Sequence, residues 1–161
     1  MKTGPKGIEL IKHFEGCFTK AYLCPAKKWT IGIGTTIYPD GKKVSEGDVC
    51  TKEQAYQYLM SDLENFEKKL NRHFKTLNQD QFDALASWVY NLGFGNLLSS
   101  TLKDKILNNP NNFDEIEKEW IKWCHIGKVK SEGLLRRRKS EFYLYSTGNL
   151  KIGRASCRER V

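Results

Sequence analysis

The sequence is poor in the residues that hold metals and in the segments that cross membranes. Three histidines (His13, His73, His125) and five cysteines (Cys17, Cys24, Cys50, Cys124, Cys157) are spread over 161 residues. There is no Cys-x-x-Cys pair, and no histidine stands at zinc-ligand spacing from a thiol, so no metal site is expected. No run of about 18 apolar residues exists, so neither a membrane-spanning helix nor stable membrane insertion is expected. The start, Met1-Lys-Thr-Gly-Pro-Lys-Gly7, runs straight into a helical pattern without a charged–apolar–small leader. A chain made without a leader is not expected to carry a disulfide framework. Internal repeats are absent as well. What is present suffices for one domain with a core: 39% of residues are hydrophobic and 12% aromatic. The formal charge of +8 suits solubility, or attraction to a polyanion such as nucleic acid, an anionic membrane or an anionic cell wall. Charge alone does not separate these. With no helix-turn-helix, zinc or aromatic–basic recognition pattern, a nucleic-acid partner is not expected.

Apolar residues recur at helical spacing from Pro5 to Glu15, and Gly16 follows as a stop. From Phe18 to about Val44 the pattern is strand and turn. Tyr38-Pro-Asp-Gly41 marks a turn, since Pro fixes φ and Gly tolerates positive φ. A long helix over about 51–72 opens on a capping box, Thr51-x-x-Gln54, and carries an apolar stripe through Ala55, Tyr56, Leu59, Leu63, Phe66 and Leu70. Asn78-x-x-Gln81 opens the next helix, the most apolar in the chain, which Gly93 ends. Shorter helices are predicted at about Ser100–Leu107, Phe113–Cys124 and Gly133–Tyr145. Trp88, Trp120 and Trp123 read as core at helical spacing. Residues 151–161 show no periodicity, carry four bases against one acid, and read like an in-frame translation of an adapter oligonucleotide. They are expected to be a non-native tail, and without them the formal charge falls to +5.

The chemistry gathers between Glu15 and Thr30. Glu15 closes the first helix, where the negative end of the helix dipole opposes ionisation. That suits an acid that must keep its proton near neutral pH. Eight residues separate Glu15 from Cys24, and five separate Cys24 from Thr30. Trp29-Thr-Ile-Gly-Ile-Gly34 alternates as a strand, placing Thr30 on it. A thiol has an ordinary pKa near 8.5 and is a weaker base than a carboxylate. A hydroxyl can accept from or donate to one water.

Glu15-x8-Cys24-x5-Thr30, with Ala21-Tyr-x-Cys-Pro-Ala26 and Trp29-Thr-Ile-Gly-x-Gly34, resembles the phage lysozyme (endolysin) family, glycoside hydrolase family 24, in a branch with Cys where Asp is usual. The resemblance continues in Gln81-Phe-Asp-Ala-Leu-Ala-Ser-Trp-Val-Tyr-Asn-Leu-Gly93, in Ser100-Thr-Leu102, and in Gly133-Leu-x-x-Arg-Arg-x-x-Glu141. It covers about residues 5–148. It implies an α+β, mainly helical, two-lobed fold within residues 1–150. A small β-containing lobe (about 16–50) would be joined by the helix at 51–72 to a helical lobe (about 73–148) that also takes helix one. It implies hydrolysis of the β-1,4 bond between N-acetylmuramic acid and N-acetylglucosamine in peptidoglycan, with Glu15, Cys24 and Thr30 catalytic. Asn91 and Arg137 are expected to bind substrate, and one of Arg136 to Arg138 to approach Glu15. Lacking a second carboxylate, the reaction is expected to invert. No cofactor is needed, and a monomer is expected. The implied setting is synthesis in a bacterial host's cytoplasm and passage through a holin-type pore to the wall for lysis. Where the family usually has Gly-x-Gly-His, Thr35 follows Gly34, which removes a possible ion pair between lobes and bears on stability. A lytic transglycosylase and an inactive wall-binding module are the alternatives.

Overall fold

The computed structural model describes residues 1–152. Helix α1 spans Pro5–Glu15 with Pro5 in its first turn, and its N-cap Gly4 has no side chain to cap the helix. Asp83, from a helix described below, does so from a distance. Its Oδ1 accepts from Gly4 N–H at 2.8 Å and its Oδ2 from Gly7 N–H at 3.2 Å. Those two N–H groups would otherwise be orphaned at a buried helix end. Upstream, Thr3 N–H donates to Glu67 Oε2 at 2.6 Å. The N-terminus is thus fastened to residues 64 and 79 positions away.

The small lobe follows. Strands β1 (Phe18–Leu23) and β2 (Trp29–Gly32) pair antiparallel, with Tyr22 opposite Thr30 and Leu23 opposite Trp29. The ladder is irregular between Phe18 and Tyr22, and Lys20 bridges to Val49. Gly41 N–H donates to the Tyr38 carbonyl, closing the predicted turn.

Helix α2 (Lys52–His73) has 22 residues, about 33 Å. Its capping box is formed, with Thr51 and Gln54 exchanging side-chain and backbone bonds. Leu59 and Leu63 pack with Ile11, Ile33 and Ala55 into a small-lobe core, and Leu70 reaches the core of the helical lobe. Tyr56 leaves the predicted stripe and is 42% exposed, because Ala55 beside it faces inward.

Helix α3 (Gln79–Leu92) is the axis of the helical lobe, buried without a break from Gln81 to Val89. Asn78 and Gln81, read from the sequence as the start of this helix, form a second capping box. Around it lie α4 (Phe94–Leu98), α5 (Thr101–Asn108), α6 (Phe113–Trp120) and α7 (Glu132–Thr147). Trp88 and Trp120 are fully buried, as expected of core residues. Helix α6 stops at Trp120 rather than Cys124, and a hairpin that periodicity did not announce follows: β3 (His125–Ile126) and β4 (Val129–Lys130), turned at Gly127 with φ 61°. Leu150 and Ile152 pack on the helical lobe, and Ser140 Oγ donates to the Lys151 carbonyl at 3.2 Å. The chain therefore stays on the lobe two residues into the segment suspected of being non-native, and the rest of that segment lies outside the described residues. No helix among the described residues is long and apolar enough to cross a membrane.

Thr35 is fully buried and donates through Oγ1 to Asp62 Oδ2 at 3.3 Å, joining the β2 loop to α2 by a neutral donor. Burial pushes the Asp62 carboxyl up to about 6, against the pull of that hydroxyl. The folded protein therefore holds this proton more tightly than the unfolded chain. The stabilisation is complete below about pH 4 and is lost as pH rises through about 6. The melting temperature should carry a corresponding fall of a few degrees, about 1–2 kcal/mol after discounting for the solvent that reaches the carboxylate. In thermal melts across that pH range, Asp62→Asn should remove the fall.

Candidate active site

Glu15 ends α1, and Gly16 turns the chain away at φ 69°. Its side chain is 16% exposed, and Oε1 accepts from Arg137 Nη1 at 2.6 Å. Arg137 comes from α7, 122 positions along the chain, and its guanidinium lies over the Phe14 ring at 5.7 Å. Its other two nitrogens are engaged as well. Nε donates to Glu141 Oε2 at 3.2 Å, and Nη2 donates to the Ser87 carbonyl at 3.1 Å and to Ser87 Oγ at 3.3 Å. Ser87 Oγ in turn donates to Glu141 Oε2 at 2.6 Å. Burial pulls the Arg137 guanidinium down, but the Glu15 and Glu141 carboxylates outweigh it and hold it above its ordinary value.

Arg138 completes the cluster. It is fully buried, with Nη2 donating to Glu141 Oε2 at 3.3 Å and to Asn91 Oδ1 at 2.8 Å. Its Nε lies 2.8 Å from Glu141 Oε1, a contact of charges whose angle is too poor for a hydrogen bond. Burial, with Arg137 beside it, lowers the Arg138 guanidinium to about 10 against the pull of Glu141. Arg137, Arg138 and Glu141 are thus paired where water is excluded, as buried charge requires, and Glu15 closes the cluster at its rim.

The β2 loop covers Glu15 from the other side. An added Cβ at Gly34, where φ is 80°, would stand 2.8 Å from Glu15 Oε2 and 3.2 Å from Tyr90 Cε1. Tyr90, on α3, donates its hydroxyl to the Ile33 carbonyl at 2.5 Å and so pins the loop. Burial first, then the carboxylates of Glu15 and Asp62, hold the Tyr90 hydroxyl well above its ordinary range.

Thr30 lies on β2 four residues before Gly34. It is 4% exposed, and its Oγ1 donates to the Lys28 carbonyl at 3.0 Å. Its proton is therefore committed, and the hydroxyl oxygen is left to act as an acceptor. Cys24 is a free, half-buried thiol just past β1. Strand alternation from the Tyr22–Thr30 pair puts Cys24 and Thr30 on one face of the hairpin.

Of the five residues singled out by sequence, Glu15 and Arg137 touch, and Cys24 and Thr30 share a hairpin face. Asn91 stands apart from Glu15, reached only through Arg138 and Arg137. Its Oδ1 faces inward, whereas its amide nitrogen has no hydrogen bond among the described residues. Arg137, expected to bind substrate, is 4% exposed and spends Nη1 on Glu15. Sequence reasoning missed Ser87, Tyr90 and the role of Glu141. The spacing of Glu141, three residues after Arg138 and four after Arg137 on one helix, was the signal available for it. Ser87 carried none.

A carboxyl at the end of α1, held from beneath by a buried arginine and covered by the hairpin loop of a second lobe, belongs to a lysozyme-like two-lobed fold. A model of the phage lysozyme family matches residues 12–141, and the chain belongs to that family. It is 39% identical over 154 residues to the endolysin of Bacillus phage B103, covering 94% of this chain but only 56% of that protein. It is 36% identical over 153 residues to the endolysin of Acyrthosiphon pisum secondary endosymbiont phage 1, covering 91% of this chain and 99% of that one. Among solved structures, the endolysin from Escherichia coli O157:H7 phage FAHEc1 superposes with a TM-score of 0.85 at 36% identity, covering 94% and 98% of the two chains.

Gly34 and Gly41 both have positive φ, but an added Cβ at Gly41 meets nothing within 4 Å. Gly41→Ala should therefore cost only the backbone strain, about 1–2 kcal/mol. Gly34→Ala adds the collision with Glu15 and Tyr90 and should melt several degrees lower still. Equal melting temperatures for the two variants would mean that the loop does not press on Glu15.

Proposed function

We propose that the chain is an endolysin-type muramidase that hydrolyses the β-1,4 bond between N-acetylmuramic acid and N-acetylglucosamine in peptidoglycan, for host cell lysis. The observation that carries this reading is Glu15 itself. One carboxylate oxygen is fixed by Arg137 at 2.6 Å, while the backbone at Gly34, four residues past Thr30, lies against the other.

Glu15 protonates the glycosidic oxygen through the carboxyl oxygen that Arg137 does not hold. Thr30, its own proton spent on the Lys28 carbonyl, accepts from a water and turns that water's lone pair toward the anomeric carbon. Cys24 holds the same water from the neighbouring position, in the manner of a branch in which a thiol replaces the usual carboxylate. With no second carboxylate to trap the sugar, water attacks the anomeric carbon directly as the bond to the leaving oxygen breaks, and the product has inverted configuration; the water's surplus proton passes to solvent, from which Glu15 is reprotonated. Asn91 binds the strand through its free amide nitrogen. The enzyme acts as a monomer at the wall, after passage from the host cytoplasm through a pore. Its positive charge draws it to the anionic wall. The catalytic domain is residues 1–150, and the following segment is dispensable apart from the contacts of Lys151 and Ile152.

Clearing of cell-wall suspensions, with mass spectrometry of the products, tests this. Reducing ends are expected, whereas anhydro-muramic ends would make the protein a lytic transglycosylase. Glu15→Gln should lose about 10²–10⁴-fold in rate. Cys24→Ser should stay partly active, Cys24→Asp active, and Cys24→Ala nearly inactive. A folded Cys24→Ala with full activity would remove the thiol from the mechanism and leave Glu15 and Thr30.

A further inference from the structure

The loop between β1 and β2 is built around a residue that its own backbone does not favour. Lys27 N–H donates to the Cys24 carbonyl at 2.8 Å, and Cys24 N–H donates to the Lys28 carbonyl at 3.0 Å. Pro25, Ala26 and Lys27 therefore make a three-residue hairpin loop whose last member must be left-handed, a place for glycine. Lys27 has φ 60°, and every other described residue with positive φ is glycine. Elsewhere the chain obeys the rule, so the exception needs a reason. Asparagine or aspartate offsets a left-handed backbone with a short side-chain bond, and lysine has no such means.

The ammonium has no structural employment either. Lys27 and Lys28 are exposed, and neither has a carboxylate at ion-pairing distance among the described residues. Solubility does not explain the position, because a cation at any unstrained surface site serves that purpose. Strain retained beside a functional group points to a task at that group, and the loop begins at Cys24. We propose that Lys27, with Lys28 beside it, is a specificity-determining residue that receives anionic groups pendant on the bound glycan strand. These are stem-peptide carboxylates or the phosphates of a wall-linked polymer. The inference rests on the muramidase reading above. N-acetylglucosamine is neutral, and the lactyl carboxyl of each muramic residue is tied up in an amide where a stem peptide is attached, so on a decorated strand the negative charge lies on the pendant groups.

An exposed ion contact is weak and is made equally in the ground and transition states. Its loss therefore appears in KM and not in kcat. The full chain and its Lys27→Gly variant are compared on three substrates: intact walls, walls stripped of phosphodiester polymers with hydrofluoric acid, and walls whose carboxylates are converted to amides. Lys27→Gly should melt no lower than the parent, keep its kcat, and raise KM on intact walls by about two- to fivefold. The KM difference should vanish on the stripped walls if phosphate is the ligand, and on the amidated walls if carboxylate is. Lys27→Arg should keep the parental KM, and Lys27→Asn should behave as Lys27→Gly. An unchanged KM on intact walls, a difference that survives both treatments, or a lower melting temperature for Lys27→Gly overturns the proposal. If the parent does not turn over walls at all, the muramidase reading fails. Co-sedimentation with the same three wall preparations then decides the lysine contact on its own, supporting it only if Lys27→Gly pellets less with intact walls and equally with one of the treated ones.

Discussion

One guanidinium holds the candidate site together. Arg137 is buried, and a buried cation is tolerated only where carboxylates neutralise it and acceptors meet its N–H groups. Glu141 and Glu15 supply the charge, and Ser87 accepts through its carbonyl and hydroxyl oxygens. The cluster thereby settles where α7 sits against α3, because Ser87 comes from one helix and both arginines from the other. It also settles where the end of α1 sits, because Glu15 is the only one of the four charged residues that reaches the surface. The Glu15 carboxyl is held in place by the arginine that needs its charge.

The second lobe is brought to this point by different forces. Its hydrophobic core is small and is shared with α1 and α2 through Ile11, Leu59 and Leu63. The fine placement is polar and steric: Tyr90 binds the Ile33 carbonyl, and Gly34 allows backbone where no side chain fits. At Gly34 the β2 loop approaches Glu15 as backbone.

Local rules made much of the fold legible. The capping box at Thr51 and the helix start at Asn78 formed as written, and the unbroken apolar body of α3 announced the axis of the helical lobe. Glycine marked the ends of α1, α3 and α7. The failures were of another kind. The β3–β4 hairpin is too short to show periodicity, and Ile126 and Val129 on it are exposed, so no burial pattern exists to be read. Helix α4 has five residues, less than the window any pattern needs. At the site, Glu15, Cys24 and Thr30 were legible because their spacing is local. Arg137 was reached through a resemblance, and Ser87 not at all, because partnership across 50 and 122 positions is a property of packing. Reasoning from the helix end alone took no account of the guanidinium that faces Glu15.

The fastening of the N-terminus has a consequence for the order in which the molecule is made. Helix α1 is synthesised first, yet its N–H groups are satisfied by Asp83, Lys6 donates to the Gly148 carbonyl at 2.7 Å, and Glu15 meets Arg137. None of these partners exists while the ribosome is completing the small lobe. The first helix must wait, unpaired, until the last one has emerged. Contacts so distant in sequence make folding slow and late. A nascent chain is therefore without the partner of Glu15 until α7 is free of the ribosome, and a translation product truncated before α7 never acquires it.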